Sequence, residues 1–169
     1  MASALAATAK AKELAVSAST IENGFIDAMS GRYTADSADV NRKMLNNQYT
    51  AMMKSLYEKF PDHADAEALY ADAMMLEHPW DLWLTDGTPR PWTPLIREVL
   101  EKLLAKKPDH PGANHYYIHV MEPSPYAAKA LPSADRLGKL TPGISHTVHM
   151  PSHIYLRTGQ YVKGSQVNE

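Results

Sequence analysis

The chain has 169 residues, a formal net charge of −2, a pI near 6.4 and no cysteine. That length suits one domain, or one stretch of a repeat array, with a core of its own. Without clustered Lys/Arg there is no dedicated surface for nucleic acid or anionic membrane, and without cysteine there is no disulfide, thiolate metal site or thiol nucleophile.

The chain opens on the alanine-rich run Met1-Ala-Ser-Ala-Leu-Ala-Ala-Thr-Ala-Lys10, which lacks the basic start of a signal peptide. It is expected to be a helix from Ala2 to about Ser17, with a thin stripe of Leu5, Ala9, Lys12 and Val16. The default location is therefore the cytoplasm, and no apolar run is long enough to span a membrane. Ser19-Thr-Ile-Glu22 has the form of a capping box, opening a helix through Ile21, Phe25, Ile26 and Met29 that stops near Gly31. Asp36, Ser37 and Asp39 offer caps for the longest helix. Its stripe takes in Val40, Met44, Leu45, Tyr49, Met52, Met53, Leu56, Tyr57 and Phe60 before Pro61 ends it.

From there the punctuation repeats. Pro61-Asp-His63, Pro108-Asp-His110 and Leu140-Thr-Pro-Gly143 each close one helix and start another; the offsets are 47 from Pro61 to Pro108 and 34 from Pro108 to Pro142. A 34-residue period of paired helices is a helical-repeat signature. The longer unit carries an insertion, residues 78–92, with three Trp and three Pro. Such a loop serves as a hydrophobic plug over a helix end or, alternatively, as an aromatic lid or peptide pocket formed by Trp80, Trp83 and Trp92. The division expected is helical pairs over 1–60, a repeat over 61–107, a second over 108–141 and an incomplete one over 142–169. The final stretch, with Gly159 and Tyr161, opens a helix without an evident end, so the chain is expected to belong to a longer array.

The segments Pro111-Gly-Ala-Asn-His-Tyr-Tyr-Ile-His119 and His149-Met-Pro-Ser-His-Ile-Tyr-Leu-Arg-Thr-Gly-Gln-Tyr161, with Pro79-Trp-Asp-Leu-Trp83, resemble those of a largely uncharacterised bacterial group of tetratricopeptide-repeat proteins. The resemblance covers roughly Pro61 onward and implies an all-α fold, a right-handed superhelix of α-α hairpins. It implies no particular reaction.

Six of the eight histidines fall between His110 and His153. His115, His119 and Glu122 follow i, i+4, i+7 and leave one helix face within about 60° of arc. His149 and His153 repeat the i, i+4 pair, and superimposing Pro108 on Pro142 places His115 on His149 and His119 on His153. Pro151 belongs in the first turn of its helix, which leaves His146 and His149 on the preceding loop. Candidate metal ligands are thus His115, His119, Glu122, His146, His149 and His153, a set suited to zinc or non-haem iron. The bland alternative is a packed, hydrogen-bonded histidine, partnered by a main-chain carbonyl or by Tyr116, Tyr117 or Tyr155. His63 and His110 share a turn position and read as turn or interhelical contacts, and His78 as a loop residue. Ligand contacts are assigned to Tyr116, Trp80, Trp83 and Arg157; for Arg157 a surface or salt-bridge role is the competing assignment. Met44, Met52, Met53, Met74 and Met75 follow core spacing rather than a copper site.

No H-E-x-x-H, Walker, G-x-S-x-G or G-x-G-x-x-G motif is present, and no catalytic residue is assigned. The leading expectation is a binding module whose concave groove takes a peptide or protein segment. The alternative is a metal-binding protein or metal-dependent enzyme using the His/Glu cluster. Self-association through exposed repeat ends is a third possibility.

Overall fold

The computed structural model describes residues 2–34 and 41–169. The expected caps Asp36, Ser37 and Asp39, and Val40, lie outside the described residues. Among those described, every regular element is helical, and the sole pairing of extended backbone is an isolated bridge between Trp83 and Pro89. No described helix is long and apolar enough to cross a membrane. The chain divides into two compact units, Met1–Glu77 and His78–Glu169, and the break falls at the first residue of the Trp-rich insertion. The segment 61–107, expected as one repeat, is therefore shared between them.

The first unit holds α1 (Ala2–Leu14), α2 (Thr20–Gly31), α3 (Arg42–Lys59) and α4 (Ala64–Glu77). A short 3₁₀ turn, Ala15–Ser17, ends the first helical stretch. Ser19 and Glu22 form the reciprocal capping box that starts α2. On α3 the buried residues are Leu45, Tyr49, Met53 and Leu56, at i, i+4, i+8 and i+11, whereas Met44 of the wider stripe is half exposed at 50%. Four small residues, Ala66, Ala68, Ala71 and Ala73, let α4 approach α3 closely. Close enough, in fact, that the Asn46 amide donates to the Leu76 carbonyl at 2.8 Å and the Thr50 hydroxyl to the Ala73 carbonyl at 3.0 Å. A Cβ built on Gly24 of α2 would lie 2.3 Å from Leu56 Cδ2, so that crossing tolerates no larger residue without movement. His63 packs against the Phe25 ring at 5.6 Å, an interhelical contact as expected.

The second unit contains α5 (Thr93–Lys106), α6 (Pro111–Met121), α7 (Leu131–Leu140), α8 (Ser145–His149), α9 (Pro151–Arg157) and α10 (Tyr161–Gln166). Packing is sequential: α5 on α6, α6 on α7, α7 on α9, α9 on α10. Burying Ile96, Val99, Leu100 and Leu103 of α5 on one face stabilises the α5–α6 pair, each aliphatic side chain contributing about 1.5–3 kcal/mol. Helix α6 is flanked on two sides and buries Ala113, Asn114, Tyr117, Ile118, Val120 and Met121. At 100° per residue these span an arc of about 160°, and His115, His119 and Glu122 share a separate arc about 60° wide on the opposite side. Gly159, at φ +75°, makes the turn between α9 and α10, a backbone region that costs other residues about 1–2 kcal/mol.

The insertion folds back on its own unit. Trp83 donates its indole N–H to the Val120 carbonyl of α6 at 2.7 Å, and Trp92 donates to the Asp81 carbonyl at 2.8 Å. His78 stacks on Trp92 at 3.6 Å, and Leu82 is buried. Trp83 thus ties the insertion to α6, whereas Trp92 braces it from within. Trp80 does neither: it is 84% exposed, at φ +61°.

Candidate metal centre

Helix α6 supplies a platform because the face opposite the histidines is packed. Its entry is fixed by His110, whose Nδ1 accepts from the Ala113 N–H at 3.1 Å, an N-cap role at the turn position expected for it. His115 and His119 then project from the free arc with ring centroids 4.9 Å apart. Opposite them, the turn after α7 is tied down by the Thr141 hydroxyl donating to Thr147 at 2.6 Å and the Thr147 hydroxyl to the Ile144 carbonyl at 2.9 Å. This turn holds α8 so that His146 Nε2 sits 3.1 Å from His115 Nε2. The donor atoms of His115, His119 and His146 all lie within 4.8 Å of one another. A tetrahedral zinc with bonds of about 2.1 Å needs nitrogens roughly 3.4 Å apart, so side-chain rotation of about 1.4 Å brings the set to bonding distance.

Residues 145–149, expected as loop, form the short helix α8, and Pro151 opens α9 as expected. The two i, i+4 pairs are consequently not equivalent. His115 and His119 share one helix, whereas His149 and His153 straddle the α8–α9 junction, with Nε2 atoms 3.1 Å apart. His115 meets His146 rather than His149, so the ring contacts cross the proline superposition.

Glu122 links the two halves. It is the C-cap of α6, the negative end of the helix dipole, where an unpaired carboxylate is disfavoured. Its pairing offsets that: Oε1 accepts from His119 Nδ1 at 3.4 Å and Oε2 from His153 Nδ1. Burial pushes the Glu122 pKa up, but the His119 hydrogen bond, the His153 and His119 charges and the His153 bond outweigh it and leave the value lowered. Because both oxygens are engaged, Glu122 acts on the imidazoles rather than as a ligand itself. With Nδ1 of His119 committed to the carboxylate, its Nε2 lone pair is free for a metal, the carboxylate–histidine arrangement of zinc sites. Desolvation, then the charges of His119, His146 and His153, depress His115 to about 4, which holds that ring neutral near pH 7 and able to bind.

Tyr117 and Tyr155 do not quench the cluster. Tyr117 donates its hydroxyl to Glu101 at 2.8 Å and Tyr155 to Asp135 at 2.7 Å, each joining neighbouring helices, and burial with those carboxylates raises both phenols. The Tyr116 ring lies 5.2 Å from that of His115. Arg157 donates to the Ser124 main-chain carbonyl at 3.4 Å, a contact that neither expected role described. The Trp80 and His119 rings meet edge-to-face with centroids 6.1 Å apart, and His146 is exposed. Trp83, by contrast, is spent on α6. Asn168 is a contributor that the sequence spacing did not flag: its Oδ1 contacts His149 Nδ1, and its Nδ2 donates to the Gly164 carbonyl at 2.6 Å. It lies 19 residues from His149, on the turn after α10, and no motif marks it. Comparison of the chain with protein families, curated proteins and solved structures gives no match.

Proposed function

We propose that this protein binds a divalent transition metal through His115, His119 and His146, with Glu122 as the carboxylate that orients His119. The observation that carries the proposal is three imidazoles from two separate helices whose donor atoms converge within 4.8 Å. Three nitrogen ligands with one open position match catalytic zinc, where the metal lowers the pKa of a bound water to about 7. Non-haem iron is the weaker fit, because its facial triad needs a carboxylate ligand and both Glu122 oxygens already accept from imidazoles. His146 is exposed, so a metal held there would be reachable from solvent.

The surrounding frame is read as tetratricopeptide-like. Support comes from the 34-residue offset of Pro108 and Pro142, the sequential packing of α5 through α10, and the left-handed Gly159 between α9 and α10. The peptide-binding module that the sequence puts first is here the second reading, favoured by one feature: an exposed Trp80 held at a left-handed φ against His119.

Equilibrium dialysis of untagged protein against zinc, followed by elemental analysis, tests the metal reading. The expected result is at least one equivalent retained by the parent and loss of that equivalent in His119→Ala. No retained metal in the parent refutes it.

A further inference from the structure

His149 and His153 are not needed for the trio above, yet they are held in a particular state. Asn168 Nδ2 donates to the Gly164 carbonyl, which fixes the amide so that its oxygen faces His149. His149 Nδ1 must therefore carry the proton. His153 Nδ1 faces a carboxylate oxygen of Glu122, so it carries a proton too. In the neutral rings both Nε2 atoms are then bare lone pairs, and they point at each other across 3.1 Å. Two lone pairs at that distance repel. A cation between them removes the repulsion with both rings in place: a shared proton, or a metal. A shared proton converts the pair into an imidazolium–imidazole bridge. A metal with bonds of about 2.1 Å accommodates a 3.1 Å bite with an N–metal–N angle of roughly 95°.

We infer that His149 and His153 form a second metal position, so that the cluster is a two-metal centre of six residues rather than a single site. The inference rests on the metal reading of His115, His119 and His146. Two features favour metal over proton. First, the same 3.1 Å Nε2–Nε2 spacing occurs at His115 and His146, so the cluster contains two such bites rather than one accidental contact. Second, Glu122 locks one ring of each set, His119 in the first and His153 in the second, and those rings are 6.0 Å apart. One carboxylate thereby fixes the tautomer in both halves, the outer-shell role that supports metal ligands. Two imidazoles leave the second ion with open positions for water or a bridging oxygen, and two neighbouring metals clamp the oxygens of an anionic substrate or intermediate. The ion class is the one that imidazole selects, zinc or a similar divalent transition metal.

Zinc stoichiometry decides it. Untagged protein is titrated with zinc against a chromophoric chelator and assayed for bound metal, with far-UV circular dichroism confirming that each variant folds. His149 and Asn168 lie at the exposed edge, so their substitution leaves the core intact. The parent is expected to hold two equivalents and His149→Ala one, with Asn168→Ala weakening only the second equivalent by 10- to 100-fold. One equivalent in the parent, unchanged in His149→Ala, overturns the second position and spares the first; so does a His149→Ala variant that still holds two. Loss of all metal in His149→Ala shows one site that includes His149 and overturns the inference as well. No metal in the parent overturns both readings.

Discussion

Replacing Glu122 with glutamine keeps the side chain's size but changes what it offers the two imidazoles. The carboxylate accepts from His119 Nδ1 through one oxygen and from His153 Nδ1 through the other. An amide presents one acceptor and one NH₂ donor. The imidazole facing the NH₂ must move its own proton to Nε2, and that nitrogen then has no lone pair for a metal. Loss of such an orienting partner costs 10- to 100-fold in metal affinity, which is about 1.4–2.7 kcal/mol. The cost falls on one ring, because the amide can still serve the other. Chelator competition with zinc, comparing parent and Glu122→Gln at pH 7.5, reads it directly. An affinity within twofold of the parent would refute the orienting role of Glu122 and the tautomer argument built on it.

Further outcomes follow from the same geometry. His115, depressed to about 4 in the fold against an ordinary value near 6.5, binds its proton more readily when unfolded. Its neutral burial therefore costs nothing above pH 6.5, and stability falls as the pH drops from there toward 4. The lowered Glu122 acts in the same direction, its contribution being lost as the pH falls through its folded value. Urea midpoints of metal-free protein should decrease between pH 7 and pH 5, and His115→Gln should flatten that slope; equal slopes would contradict it. Trp80→Gly relieves a left-handed φ of +61° and should leave the urea midpoint unchanged or raise stability by up to about 1 kcal/mol. In the parent, binding of cobalt(II) should quench the indole fluorescence that Trp80 contributes, and this part of the quench should vanish in Trp80→Gly. Gly159→Ala, at φ +75°, should destabilise by about 1–2 kcal/mol in urea. Ile118→Ala, at a fully buried position of α6, should cost about 2–5 kcal/mol and weaken metal binding by loosening the platform.

Much of the helical order was legible because it rests on local chemistry. The Ser19–Glu22 box, the Pro-Asp-His turns and Pro151 act within three or four residues of where they stand, and the structure uses each as expected. The i, i+4, i+7 spacing of His115, His119 and Glu122 was sufficient to place them on one face, because helix geometry alone fixes it. What spacing does not encode is partner choice. His115 pairs with His146 because the Thr141–Thr147 bond sets the pose of α8, a tertiary detail. Residues 145–149 were expected as loop because the stretch before Pro151 is too short for a helical period to register. Trp83 and Trp80 looked alike in sequence, yet one donates to an α6 carbonyl and the other stands in solvent. Asn168 was invisible because its role depends on α10 returning toward α8.

The most direct test of the metal reading is zinc-edge X-ray absorption on untagged protein loaded with one equivalent. The account predicts about three imidazole nitrogens at 2.0–2.1 Å and a light oxygen ligand completing a four-coordinate shell. Fewer than two imidazoles, or a six-coordinate shell of water-like oxygens, would contradict it.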